Sequence, residues 1–314
     1  TVMYRNKVEG TAFLADEDGY LLTNRHVACP WLEDTALFTV YSQLDQLGRQ
    51  ASLNYTIHVW FEGAKAFNRM LALNDSADPS DTYLLSEAYS TGGRGNLRIA
   101  GIPRSPARRV QMIKSPFKND FAVLQIDGLP RALKPLPLAE SFQPSMLKRL
   151  SSVVILGFPL GNRTQADHIN TSITRGHVRR TTQEIIQVDT SIYEGNSGGP
   201  AINLDGRVIG IASGVVTGST GGYFKLDTPL SDFGLVLPIS RPAAMIASLK
   251  QGTPHWNGVI DFGLPQKLEA INRLAGESRF TEAVQLSETM LKTSPDPILT
   301  YVTGMLNFCT GNLE

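Results

Sequence analysis

From residue 4 to about residue 239 the chain is written in short apolar runs, rich in Val, Ile, Leu, Phe and Thr and cut by Gly, Asn and Asp turns. Residues 10–15, 20–23, 56–61, 121–126, 153–157, 185–189, 201–203, 208–212 and 233–238 are such runs. Each is long enough for a strand, and no long helical pattern alternates with them. Many short strands without intervening helices bury their apolar faces by closing sheets into barrels or stacking them, rather than by building a doubly wound sheet. Residues 127–150, with four prolines, read as the connection between two β units. Two stretches, 29–54 and 74–109, exceed hairpin loops and read as irregular insertions, a length that compact domains usually keep for function.

After Pro242 the pattern changes. Residues 243–250 read as a helix packing back on the β region, and 251–265, with Gly252, Pro254, Gly258 and Gly263, as a linker. From Gln266 apolar residues recur at three- and four-residue spacing: Leu268, Ile271 and Leu274, then Phe280, Ala283, Val284, Met290 and Leu291. That is helical periodicity. It breaks near Gly276 and again at Pro295 and Pro297, and a third helix is expected from 298 to about 311. The expected division is 1–250 as a mainly β domain, 251–265 as linker and 266–314 as helices.

Composition removes several function classes. Lys+Arg and Asp+Glu are 29 each, so no net field draws the chain to nucleic acid or an anionic membrane. No apolar run approaches the roughly 20 residues of a membrane span. Cys29 and Cys309 make no disulfide framework. No Cys/His cluster has metal-ligand spacing, and the glycines at 92–95 lack the Lys-Ser/Thr of a phosphate-binding loop, so neither metal nor cofactor is expected.

Three local patterns occur in the order His, Asp, Ser. His26 follows Tyr20-Leu-Leu-Thr-Asn-Arg; Asp120 stands before Phe-Ala-Val-Leu-Gln-Ile; Ser197 sits within Gly195-Asn-Ser-Gly-Gly-Pro200. Alone, each has a plain reading as a surface histidine, a turn acid or a tight glycine turn. Together they meet a chemical requirement. A serine hydroxyl is a weak nucleophile until a base takes its proton. Histidine serves near neutral pH, and a carboxylate fixes its tautomer and steadies the imidazolium. Glycines beside the serine free the backbone so that amides in the stretch Gly195, Asn196 and Ser197, those of Gly195 and Ser197 above all, can face a developing oxyanion.

Residues 4–240 resemble a trypsin-like serine peptidase of the HtrA (DegP-like) type. The likeness rests on Gly10-Thr-Ala-Phe, Thr23-Asn-Arg-His26-Val, Asp120-Phe-Ala-Val-Leu, Gly157-Phe-Pro-Leu-Gly161, Thr174-Arg-Gly-His-Val178, Asp189-Thr, Gly195-Asn-Ser-Gly-Gly-Pro200 and Phe233-Gly-Leu-Val-Leu-Pro238. It implies a two-barrel chymotrypsin-like fold, with His26 and Asp120 from the first barrel and Ser197 from the second. It implies endopeptidase activity on proteins or peptides. It also implies a specificity pocket lined by Ser191, Ile192, Ala212, Ser213, Gly214 and Val215. No carboxylate stands among them, so small or medium apolar residues are expected before the cut.

The chain departs from that family in two places. His26 and Asp120 lie about ninety residues apart, so 29–54 and 74–109 are insertions in the first barrel. No PDZ-like sequence follows. Instead Gly276-Glu-Ser-Arg-Phe280-Thr-Glu-Ala283, Pro295, Gly304 and Gly311-Asn-Leu-Glu resemble tetratricopeptide repeats, which implies a protein partner or substrate held by the helices and a natural chain with more repeats. A helical hairpin capping the protease domain is the plainer reading. The competing function is a catalytically silent protease-fold scaffold acting through its repeats; three intact site residues and the oxyanion glycines favour an enzyme. The likeness is to bacterial soluble proteins, cytoplasmic or periplasmic.

Overall fold

Alternating burial along short strands builds two β lobes in the computed structural model, which describes residues 7–47, 53–68, 83–103, 117–139, 141–161, 164–190, 192–193, 195–219, 227–259, 264–293 and 297–312. In the first lobe β1 (Phe13–Leu14), β2 (Tyr20–Thr23), β5 (Arg98–Gly101) and β6 (Ala122–Gln125) form an antiparallel sheet of order β1-β2-β6-β5. β3 (His58–Val59) and β4 (Tyr89–Ser90) pair separately. In the second lobe β7 (Ser152–Gly157), β8 (Ser172–Thr181), β9 (Ile186–Val188), β10 (Pro200–Ile202), β11 (Val208–Ser219) and β12 (Asp227–Pro238) close a six-stranded antiparallel barrel of order β10-β11-β12-β9-β8-β7.

The closed barrel of the second lobe agrees with the expected chymotrypsin-like fold, and the first lobe is, among the described residues, a four-stranded sheet. One face of that sheet is covered by side chains from helices, from the chain after residue 250 and from β4. Trp31, Leu32, Tyr89 and Trp256 pack on Leu21, Ile99 and Leu124, with Leu37, Leu53, Tyr55 and Ile57 around them.

The insertions are also more regular than expected. Within 29–54, which read as irregular, a 12-residue helix α2 (Thr35–Gln46) follows the single-turn helix α1 (Arg25–Ala28). Asp34 starts it: one carboxylate oxygen accepts the amides of Ala36 and Leu37 at 3.0 and 3.1 Å, as a capping acid does. Of the insertion 74–109, residues 74–82 and 104–109 lie outside the described residues.

Helix α3 (Ser240–Lys250) packs its Ile246 into the main core, and Lys250 meets Asp16 and Asp18 at the β1–β2 turn, each at 2.9 Å. The expected linker 251–265 is in its first part no linker. Trp256 is buried, its carbonyl accepts the Ile102 amide at 2.8 Å, and the Trp31 indole donates to the Gly258 carbonyl at 2.8 Å. A side chain at Gly258, where φ is +78°, would strike the Cys29 sulfur. An indole has too much apolar surface to be left in water, so Trp256 carries its segment into the first lobe.

Helices α4 (Leu264–Gly276), α5 (Phe280–Thr293) and α6 (Pro297–Cys309) fall where the three- and four-residue spacing puts them. Ile271, Ala283, Val284, Leu299 and Leu306 make their own core.

Candidate active site

β2 is followed by Asn24, whose extended backbone (φ −77°, ψ 151°) hands the chain to α1. The turn is closed by the Ala28 amide on the Asn24 carbonyl and the Cys29 amide on the Arg25 carbonyl, at 3.0 and 2.7 Å. His26 is thereby fixed on a single helical turn. Asn24 also donates from Nδ2 to the Asp120 carbonyl at 2.8 Å, tying the end of β2 to the start of β6.

The His26 Nδ1 lies 3.0 and 2.9 Å from the two carboxylate oxygens of Asp120, and the His26 amide donates to Oδ1 at 3.1 Å. A carboxylate only accepts, so Nδ1 carries the proton and Nε2 is left as the basic nitrogen. The Asp120 side chain is 12% exposed and that of His26 30%, so the acid is shielded while the imidazole reaches the surface. Ser213, on β11, donates its hydroxyl to Asp120 Oδ2 at 2.5 Å. Ser213 is one of the residues expected at the specificity pocket, and its hydroxyl steadies the acid.

The Ser197 turn is bolted to the same place. The Thr11 amide donates to the Ser197 carbonyl at 2.8 Å, and the Thr11 hydroxyl donates to the Gly195 carbonyl at 2.6 Å while accepting the Phe158 amide at 3.1 Å. The Thr23 hydroxyl donates to the Thr11 carbonyl at 2.7 Å. Thr23 is three residues before His26, so one short bond chain joins the serine turn to the histidine turn. Gly198, at φ +93°, lies so near the Thr11 carbonyl and Thr23 hydroxyl that a Cβ would come within 2.0 and 2.3 Å of them. Gly195, also at φ +93°, would meet the Phe158 carbonyl at 2.3 Å. Both positions demand glycine by dihedral and by space.

The Asn196 amide donates to the Tyr193 carbonyl at 3.0 Å. It is turned away from any oxyanion, so within the stretch 195–197 the candidate donors are the amides of Gly195 and Ser197. Asn196 itself is 3% exposed and presses on Gly157.

The pocket residues are gathered less fully. Ser191 lies outside the described residues. Ile192 is buried in the main core and packs at Gly234. Ala212 is a core residue whose carbonyl and amide brace Gly198 and Gly199, each at 2.8 Å. Gly214 and Val215 lie on β11, with Val215 opposite Gly234.

Asp189, in the chain leading to the nucleophile turn, accepts the His177 amide at 2.5 Å and lies 3.3 Å from the Arg179 guanidinium. Burial pushes its carboxyl up, but the His177 amide, Arg179 and His177 together hold it below the usual carboxylate range. Burial pushes the Cys29 thiol far up, so this cysteine is a packing residue. Among the described residues no group of His, Cys, Asp or Glu has the arrangement of a metal site.

Sequence reasoning missed the roles of Thr11 and Asn24. Thr11 lies in a motif that the family likeness used, but nothing in a lone threonine tells which carbonyl its hydroxyl will find across about 180 residues of chain.

A family model described as "Trypsin-like peptidase domain" matches residues 10–211. The chain belongs to the trypsin-like peptidase family. Among curated relatives, a "Probable periplasmic serine endoprotease DegP-like" of Pseudomonas savastanoi pv. phaseolicola is 27% identical over 254 residues, covering 74% of this chain and 49% of the relative. A protein of the same description from Pseudomonas fluorescens is 30% identical over 185 residues, covering 58% and 36%. The chain thus spans about half, or less, of the length of these relatives. A solved structure, "HtrA-type protease AlgW with tripeptide", aligns over 78% of this chain and 56% of its own, with 19% identity and a TM-score of 0.45.

Proposed function

We propose that this trypsin-like peptidase is a serine endopeptidase in which Ser197 attacks the scissile carbonyl, His26 takes and returns the proton, and Asp120 orients the imidazole. The observation that carries the reading is the double approach of His26 Nδ1 to the Asp120 carboxylate, with the Ser197 turn tied by Thr11 to Thr23 at the end of β2, three residues before His26. Nε2 receives the Ser197 proton as the hydroxyl oxygen bonds to the carbonyl carbon. The resulting oxyanion is met by the amides of Gly195 and Ser197, an arrangement worth roughly 3–4 kcal/mol per donor in comparable sites. The imidazolium then gives its proton to the leaving amine, and water repeats the sequence on the acyl-enzyme.

Small or medium apolar residues fit before the cut. None of the residues expected at the pocket carries a carboxylate, so a lysine or arginine entering it would lose solvation without a partner. The helices α4–α6 serve, on their likeness to tetratricopeptide repeats, to hold a protein partner or substrate near the cleft. The DegP-like relatives are described as periplasmic, and that is the compartment we assign.

The test is mass-spectrometric mapping of cuts by the wild type and by Ser197→Ala in a mixed protein digest. The expected result is cuts after Val, Ala, Leu or Met by the wild type, with turnover lower by about 10⁴-fold or more in the variant. Equal cleavage by Ser197→Ala contradicts the mechanism, and a majority of cuts after Arg or Lys contradicts the pocket.

A further inference from the structure

The first-lobe segment Gly63–Phe67, between the two expected insertions, is stitched to the second lobe. The Gly63 amide donates to the Ile169 carbonyl at 2.9 Å, the Ile169 amide to Ala64 at 3.0 Å, and the Ala66 and Phe67 amides to Asp167 at 3.0 and 3.2 Å. The Leu84 amide joins from the far side, onto the Ala66 carbonyl at 2.6 Å. Ala66, Phe67 and Ile169 are buried together beneath Trp60, Tyr83 and Phe158. A piece of one lobe has become a strap across to the other.

Beneath this strap runs a cavity of about 790 Å³. Its far wall is aromatic: the Tyr83 ring lies 5.2 Å from Trp60 and 4.9 Å from Phe67, and His58 stands 5.9 Å beyond Trp60. Its near wall includes Glu9–Thr11 and Val27; Val27 follows His26, and a Cβ at Gly10 would meet the Val27 side chain at 2.6 Å and the Ser197 carbonyl at 3.0 Å. Ile192, Ala212 and Ser213, the residues expected to receive the side chain before the cut, take no part in it.

That placement decides the occupant. The histidine hands its proton to the leaving amine, so the leaving half of a substrate lies on the histidine side of the serine. The acyl half lies on the side of residues 192 and 213. A groove that starts beside Val27 and Gly10 therefore continues the cleft in the leaving direction. His58 brings to this wall a buried Nδ1 with no hydrogen-bond partner. Burial depresses the His58 pKa, and the Lys7 ammonium, 4.5 Å from the centre of the Tyr83 ring, is paired with Glu9 at 2.9 Å.

We infer that the strap makes a leaving-side subsite, in which an aromatic or large apolar residue among the first four after the scissile bond seats against Trp60, Phe67 and Tyr83. The inference rests on the serine-peptidase reading for the direction of the substrate. The substrate contributes apolar area to a preformed aromatic wall, and the strap holds that wall in place before it arrives. Val8 and Leu85 form an accessible rim, 41% and 53% exposed, and can be changed without emptying the core.

Two measurements separate the subsite from the catalytic reading. In the first, a peptide library is digested by the wild type, Trp60→Ala and Leu85→Glu, and residues on both sides of each cut are tallied. Large apolar residues are expected to be enriched after the cut for the wild type. Both variants should erase that enrichment and leave the residue before the cut unaltered. In the second, Ser197→Ala protein is titrated with labelled peptides carrying valine before the target bond and either Phe or Gly at the four positions after it. The Phe peptide is expected to bind about tenfold more tightly, and Leu85→Glu, added to Ser197→Ala, should remove the difference. Leu85→Glu keeps the test decisive if Trp60→Ala does not fold. Cleavage without a leaving-side preference, or equal binding of both peptides, overturns the subsite. A binding difference without any cleavage upholds the groove and overturns the catalytic reading instead.

Discussion

Thr11→Val removes one hydroxyl from the bond chain that holds the nucleophile turn. In the native protein that hydroxyl donates to the Gly195 carbonyl at 2.6 Å and accepts from the Phe158 amide at 3.1 Å, and Thr11 is 3% exposed. Valine keeps the branched shape and supplies neither bond. The Phe158 amide is only part-buried and can turn to water, so the buried Gly195 carbonyl dominates. Leaving such a group unpartnered costs about 1–3 kcal/mol. Gly195 relieves that cost by turning its peptide, which moves its amide out of line with the oxyanion. If the whole cost falls on the transition state, kcat drops about 5- to 150-fold. KM should change little, because the substrate's ground state makes few demands on the oxyanion amides. The assay is steady-state cleavage of a peptide from a mapped cut site, with Thr11→Ser as the control that restores the hydroxyl. Full activity in Thr11→Val, or an equal loss in Thr11→Ser, refutes the argument that this hydroxyl holds the turn.

Ser213→Ala, which strips one donor from Asp120 Oδ2, should lower kcat by roughly tenfold and weaken binding little, since hydrogen bonds to a charged group are worth about 1.5–3 kcal/mol and His26 keeps its own contact. An unchanged kcat would remove Ser213 from the site. Gly198→Ala should abolish cleavage and lower Tm, because a Cβ there meets the Thr11 carbonyl at 2.0 Å in a backbone region closed to alanine; a stable, active variant contradicts the packing described. Burial depresses the His58 and His255 pKa values, so the unfolded chain takes up protons that the fold refuses. Stability is therefore full above the ordinary histidine value near 6.5 and falls as pH drops through it toward the depressed folded values. Urea melts at pH 7.5 and pH 5.5 should show the loss, with a smaller loss in His255→Gln; a loss of the same size in that variant counts against His255.

The strands at 20–23, 121–126 and 153–157 were legible because their side chains alternate or stay buried over a length only a strand allows. β8 was not recognised as a strand. Its outward positions carry Arg175, Arg179 and Arg180, and Gly176 and Val178 alone mark the inward face, so composition hides the period. Helix α2 was hidden for a related reason: Thr35, Thr39 and Val40 are weak helix formers, and the decisive signal was the Asp34 cap. Trp256 sits among Gly and Pro that read as a linker, and only the sheet it packs on shows why it is held. At the candidate site, His26, Asp120 and Ser197 stand out in the sequence because the proposed chemistry restricts residue type. The fastening through Thr11, Asn24 and Ser213 depends on contacts between distant parts of the chain, which no local pattern encodes. The strap at 63–67 was illegible for the same reason, since its partners lie about a hundred residues away.

The central claim is that Ser197 is a nucleophile activated by His26, and a fluorophosphonate probe tests it without knowledge of the substrate. Intact-mass and peptide mapping of the labelled protein should find one probe per chain, on Ser197. His26→Ala should slow the labelling by at least about a hundredfold. Labelling spread over other serines, or proceeding at the wild-type rate in His26→Ala, would contradict the account.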